Sequence, residues 1–185
     1  MKRLKTNRLI LRKFKFTDIN DLYEYAKRDD VGPKAGWHPH KNKIETKKIL
    51  SGFIDKEEVY AIYHKVDRKV IGSIGIHKTV IGELENVKEI GFVLNPKYHR
   101  QGIMGEALKR ILDYCFLELE LDDIYTGHFI NNKPSEKLIL KYNFKPIKEI
   151  NYQSQDYGSK LAKIYKLTKL DYVLKMEELK WKNGV

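Results

Sequence analysis

A basic turn punctuated by glycine, His99-Arg100-Gln101-Gly102-Ile103-Met104-Gly105, lies between the apolar run Glu89 to Leu94 and a stretch with helical spacing. At a strand-to-helix junction the first helical amides have no intrahelical partner. They point, with the positive end of the helix dipole, at whatever sits in front of them. Gly102 and Gly105 are expected to let a bulky anion approach the backbone, and Arg100 and Lys97 to add charge nearby. The chemistry expected of this turn is the holding of a phosphorylated ligand. Two other phosphate signatures are missing: there is no G-x-x-x-x-G-K-[ST], and no G-x-G-x-x-G opening a βαβ unit. Nucleotide hydrolysis and a dinucleotide site are therefore disfavoured.

The elements that must position this turn follow from periodicity. Ile103, Ala107, Leu108, Ile111, Leu112, Cys115 and Phe116 recur at three- and four-residue spacing and predict an amphipathic helix lying on a sheet. Strands are predicted over 8–14, 58–65, 69–79, 87–94, 123–129, 143–150 and 161–168, with a hairpin at Asp67-Arg68 and a turn over 83–86. Helices are predicted over 18–28, with Thr17 as N-cap, over 44–55 and over 133–141, and Asp171 is expected to cap a C-terminal helix. The Gly, Pro and Asn content of 29–43 reads as a loop. The fold class is α/β: a mixed, mostly antiparallel, twisted sheet flanked by helices.

Length and composition bound the rest. With 185 residues, 42% of them hydrophobic, the chain suits one core, read as a single domain over 1–185 with its last helix from about 171. No apolar run in the opening residues is long enough for a signal peptide or a membrane span, so a cytoplasmic location and no membrane partner are expected. The single cysteine, Cys115, excludes an intrachain disulfide and falls on an apolar helical face, which reads as core. A net charge of +11 attracts polyanions. The lysines are spread from Lys2 to Lys182, however, and no RNA-binding signature is present, so no direct nucleic-acid partner is expected. His38-Pro39-His40 offers two imidazoles and no third ligand at telling spacing, and no metal is expected.

Four segments in order resemble the GCN5-related N-acetyltransferase (GNAT) family of the RimJ/RimL, ribosomal-protein-alanine type. Thr6-Asn7-Arg8-Leu9-Ile10-Leu11-Arg12 is similar to its T-x-R-L-x-L-R opening, and Glu89 to Leu94 to its central strand. Gln101 to Ala107 is similar to its acyl-CoA pyrophosphate loop. Asn132-Lys133-Pro134-Ser135, with Lys141-Tyr142-Asn143-Phe144, is similar to its N-x-x-S…K-x-G-F segment. Two departures stand out: the superfamily signature Q/R-x-x-G-x-G/A differs at its first and last positions, here His99 and Met104, and Asn143 replaces a glycine, which asparagine imitates by tolerating left-handed backbone angles.

The resemblance implies a GNAT fold with splayed central strands and acetyl-CoA as co-substrate. Unpaired backbone of Phe92, Val93 and Leu94 would meet the pantetheine arm. Amides from Arg100 to Gly105, namely Arg100, Gln101, Gly102, Ile103, Met104 and Gly105, would grip the pyrophosphate. Asn132 and Ser135 would lie at the pantetheine amide and the sulfur, and Lys137 and Lys141 near the adenosine phosphates. The reaction implied is direct attack of an amine on the acetyl carbonyl, which needs a proton acceptor and support for a departing thiolate. Glu89 is the leading base, directly or through a water, and Ser135 the acid. His77 is the runner-up base, well suited to neutral pH. Trp37 and His38, with His40, sit in the loop that in this family tends to wall the acceptor side. The acceptor implied is a protein N-terminal α-amine, and the alternative is a small amine such as a polyamine, amino acid or antibiotic. Acidity to receive a basic partner would come from Asp29, Asp30, Glu57, Glu58, Glu83 and Glu85. Readings from other classes are an acyl-CoA-binding regulator without transfer activity and a ribosome-associated module. A monomer or homodimer is expected.

Overall fold

The computed structural model describes residues 1–79, 85–154 and 158–182. Part of the expected turn over 83–86, with Glu83, lies outside them. Among the described residues eight strands form one sheet: β1 (Leu4–Lys5), β2 (Leu9–Lys13), β3 (Val59–His64), β4 (Lys69–His77), β5 (Val87–Leu94), β6 (Asp123–Phe129), β7 (Lys145–Ser154) and β8 (Gly158–Thr168). Their order across the sheet is β1-β2-β3-β4-β5-β6-β8-β7. Among the described residues only β5 and β6 pair in parallel. The helices are α1 (Ile19–Ala26), α2 (Gly32–Ala35), α3 (Lys43–Lys56), α4 (Ile103–Asp113), α5 (Lys133–Lys141) and α6 (Lys169–Lys182). The expected α/β class and mixed sheet are what the chain forms.

Each face of the sheet carries its own core. On one, Ile103, Ala107, Leu108, Ile111 and Leu112 of α4 pack with Leu9, Leu11, Ile62, Ile74, Ile90 and Ile124. The apolar stripe read from the sequence is the stripe that is buried. It runs on through a wide π turn, Tyr114–Glu118, which keeps Cys115 and Phe116 inside. Burial pushes the Cys115 thiol up to about 12, as befits a core residue. On the other face, Leu22, Tyr25 and Ala26 of α1 and Leu50 of α3 cover Phe14, Val59, Ala61 and Val70. Ile71 is an extra residue between the pairs Tyr63↔Val70 and Ile62↔Gly72. This bulge resets the alternation of β4. Ile74 and Ile76 then face α4, while Ser73, Gly75 and His77 face the α1 and α3 side.

Several local expectations are corrected. Thr17 is not the cap of the first helix: it sits inside a 3₁₀ turn, Phe16–Asp18, where Asp18 accepts from the Lys15 amide at 2.8 Å and pairs with Arg12 at 2.7 and 2.8 Å. Asp171 is not the cap of α6: it lies in its first turn, and Thr168 Oγ1 accepts from the Asp171 amide at 3.0 Å. The loop over 29–43 contains α2, and β7 and β8 run longer than expected.

Candidate active site

The parallel pairing of β5 and β6 starts at Val87↔Asp123 and stops at Ile90↔Thr126. Beyond that point β5 continues on β4 as far as Gly72↔Leu94, and β6 on β8 as far as Phe129↔Ala162. The two strands part, and the sheet is split. At the apex the buried Thr126 hydroxyl donates to the Ile90 carbonyl at 2.8 Å, closing the pairing with a side chain. Ile90's peptide therefore faces β6, and by strand alternation so do those of Phe92 and Leu94. Asn95 donates to Ile71 O at 2.8 Å, so the opposite parity faces β4. Of the three residues expected to present unpaired backbone to the split, Val93 is thus turned to β4. The Leu94 carbonyl is met by His99 Nε2 at 3.1 Å.

At the far end of β5 the chain makes a single 3₁₀ turn, Pro96–Tyr98, and reaches α4 through two left-handed residues, Arg100 (φ 59°) and Gly102 (φ 73°). Gly102 is the N-cap of α4 and its carbonyl takes the first helical bond, from Glu106 at 3.0 Å. The amides of Ile103, Met104 and Gly105 are the ones with no helical partner. Arg100, Gln101 and Gly102 are exposed, whereas the Ile103 and Met104 side chains are buried, leaving those two only their amides to offer. A Cβ on Gly102 would meet only Arg8 Nη2, at 3.6 Å. This open, donor-lined turn suits a pyrophosphate.

Two assignments in the turn change. Gly105 is small for packing: Tyr142 donates to its carbonyl at 2.6 Å, and an added Cβ would lie 3.1 Å from the Tyr142 hydroxyl. Lys97 is drawn to Glu24, 3.2 Å away. The sequence reading did not single out Glu106, whose carboxylate accepts from the Arg8 amide at 2.8 Å, Arg8 Nε at 2.6 Å and Thr6 Oγ1 at 2.5 Å. Arg8 Nη1 then donates to Gln101 O at 2.9 Å, so one clamp ties the turn to the N-terminal strand.

A cavity of about 490 Å³ occupies the split. Glu89, His77, Trp37, Asn132 and Ser135 line it, as do Phe92 and Val93. Glu89 and His77 are cross-strand partners, and His77 Nδ1 lies 3.3 Å from Glu58 Oε2. Asn132 caps α5, its Oδ1 accepting from the Ser135 amide at 3.4 Å, so it positions the serine. Lys137 and Lys141 are exposed on α5. His38 is exposed and does not line the cavity, and His40 is buried with Nδ1 2.9 Å from Thr46 Oγ1. Residues that the sequence reading missed complete the wall: Phe53, His128, Phe129 and Tyr152. Burial raises the Tyr152 hydroxyl's pKa, and the charge of Glu89, which lines the same cavity, raises it further. Its only signal was an alternation continuing past Asn151. A strap, Lys34 to Trp37, crosses the split: Ser154 Oγ donates to Gly36 O, at 2.5 Å, and Asn132 Nδ2 to Lys34 O at 3.4 Å.

A split parallel pair with the unpaired amides of a helix start at one end and a carboxylate and an imidazole at the other has the form that an extended phosphorylated carrier and a second reactant would need. Residues 8–145 match the acetyltransferase (GNAT) domain, and the chain belongs to that family of acetyl-CoA-dependent acyltransferases. It is 30% identical over 145 residues to YnaD of Bacillus subtilis, an N-acetyltransferase itself uncharacterized, covering 76% of this chain and 81% of that one. Among solved structures, a GNAT-family acetyltransferase from Bacillus anthracis superposes with a TM-score of 0.81 at 23% identity, over 91% of this chain and 99% of that one. The fold is also shared with the ribosomal-protein-S5-alanine acetyltransferase of Vibrio fischeri (TM-score 0.74, 17% identity, 93% and 99% covered). A spermidine N-acetyltransferase from Vibrio cholerae, solved with CoA and spermine, matches at TM-score 0.74 and 16% identity, over 91% and 99%. Among the described residues no helix is long and apolar enough to cross a membrane.

Proposed function

We propose that this N-acetyltransferase acts on a protein N-terminal α-amine, by direct attack, with Glu89 as proton acceptor and Ser135 as hydrogen-bond donor to the leaving sulfur. The observation that carries the reading is that Glu89 on β5 and Ser135 on α5 line one cavity in the split between β5 and β6. The co-substrate brings an acetyl group activated as a thioester. The amides of Ile103, Met104 and Gly105 hold its pyrophosphate, with Arg100 and Gln101 beside them, and Phe92 and Leu94 offer their peptides to the pantetheine arm. Glu89, directly or through a water, takes the proton that the amine must shed before its lone pair is available. Ser135 Oγ donates as negative charge gathers on sulfur.

The N-terminal acceptor is supported by the four motif segments. A small cationic amine is the second reading. The strap tied to Asn132 and Ser154 favours it by walling part of the cavity, together with Trp37, Phe53 and Tyr152, aromatic residues that line the same cavity as Glu89.

The test is thiol release from acetyl-CoA against N-terminal peptides, polyamines and amino-acid amines, with no-acceptor controls. Release with peptides alone supports the first reading, and release with polyamines alone replaces it by the second. Glu89→Gln is expected to lower turnover by about 10²- to 10⁴-fold with CoA affinity intact. Unchanged turnover would remove Glu89 from the role of base.

A further inference from the structure

Three cross-strand pairs, Ser73↔Val93, Gly75↔Gly91 and His77↔Glu89, lie on one face of β4 and β5, and all six residues line the cavity. The middle pair has no side chains. Glycine inside a strand is unfavourable, because it loses more backbone freedom on folding and packs nothing. Backbone crowding explains it at Gly72, whereas at Gly75 the space is taken by the end of the His77 side chain. An added Cβ at Gly72 would lie 2.4 Å from Val93 O, and one at Gly75 would lie 2.1 Å from His77 Nε2. The imidazole thus folds back over Gly75. Gly91 has no such reason: a Cβ there would meet nothing within 4 Å, and its φ is not positive. The fold would tolerate a side chain that the sequence withholds.

The space over Gly91 is bounded by reactive groups. Along β5 its neighbours on the same face are Glu89 and Val93, and across the pairing the His77 ring lies over Gly75. We infer that Gly91 keeps open the seat of the acceptor amine, making it a specificity-determining residue that admits an unhindered primary amine between the Glu89 carboxylate and the His77 imidazole. The inference rests on the reading that this cavity receives an amine. It adds the place where the amine lies and the residue that limits its bulk.

Gly91→Ala and Gly91→Val test it through three readouts. Unliganded melting temperature is expected to hold or rise, since valine favours strands. The rise produced by CoA should match wild type. The acceptor KM should increase roughly tenfold or more for valine and less for alanine, the scale of one misfitted methylene or methyl. The extra melting rise that the amine gives to CoA-bound protein should shrink in parallel. A valine variant with wild-type acceptor KM and kcat overturns the seat, and one that loses the CoA-induced rise assigns the space to the co-substrate and overturns it too. If valine prevents folding, the alanine variant decides by the same measurements. Wild-type protein that is stabilised by CoA, yet neither acetylates nor is stabilised by any amine in the panel, sinks the functional reading and the seat with it.

Discussion

The clamp on the phosphate turn gives a prediction whose size follows from its geometry. Glu106→Gln keeps the shape of the side chain and removes its charge. One of the three donors that now meet a carboxylate, the Arg8 amide, Arg8 Nε and Thr6 Oγ1, would then face an amide NH₂. Hydrogen bonds to a charged group are worth about 1.5–3 kcal/mol, and pairs reaching solvent about 0–1. The Glu106 side chain is 18% exposed and that of Arg8 43%, which puts the loss between these ranges. About 1–1.5 kcal/mol is expected, or roughly 2–6 °C in melting temperature for a chain of this size. Arg8 also holds Gln101 O, so the loss extends to the turn itself. A turn loosened by about 1 kcal/mol binds CoA roughly fivefold more weakly. Melting curves with and without CoA, and a CoA titration by calorimetry, measure both effects. A lower melting temperature with unchanged CoA affinity would refute the claim that this clamp shapes the binding turn.

Two further predictions concern charge. Gly102→Asp is expected to weaken CoA binding by setting a carboxylate against the pyrophosphate at a left-handed position, and unaltered binding in the same titration would remove the turn from the cofactor site. Glu24 is held at about 2, chiefly by the Lys69 hydrogen bond, against the desolvation of its site and with further bonds from Lys97 and Asn95. Because the folded value lies below the unfolded one, its contribution is complete above about pH 4.5 and is lost as pH falls toward about 2. Melting temperature measured across that window should fall more steeply for wild type than for Glu24→Gln, and parallel curves would refute the assignment.

Much of this architecture was legible because apolar spacing dictates which face is buried. Ile103 to Leu112 could satisfy only a helix lying on a sheet, and the Gly102 turn announced its donors. What stayed hidden depends on partners distant in sequence. Glu106 reads as an ordinary acid in a first helical turn until folding brings Arg8 to it across 98 positions. Thr126 reads as a strand former, and only the divergence of β5 and β6 makes its hydroxyl a closure. Asp171 and Thr168 are both capping types three residues apart, and the nearer-seeming choice was the wrong one. Gly32 and Pro33 read as loop, yet Trp37 lies so close over Gly32 that a Cβ there would sit 2.8 Å from its ring. Tyr152 was cut off by the polar residues around it, although strand alternation carries it into the cavity wall.

The strap over the split has a consequence for biosynthesis. Its carbonyls at Lys34 and Gly36 are met by side chains 98 and 118 residues later, from Asn132 and Ser154. Contacts of such separation require large loops to close before any reward is gained, and they form late. The apolar stripe of α4 also packs with Ile124 of β6 and with Tyr165 and Leu167 of β8, so a ribosome-bound chain that has exposed only α1 to α4 lacks both the seat of that helix and the walls of the cavity. The site therefore becomes whole only when the C-terminal strands have left the ribosome and Ser154 has closed onto the strap.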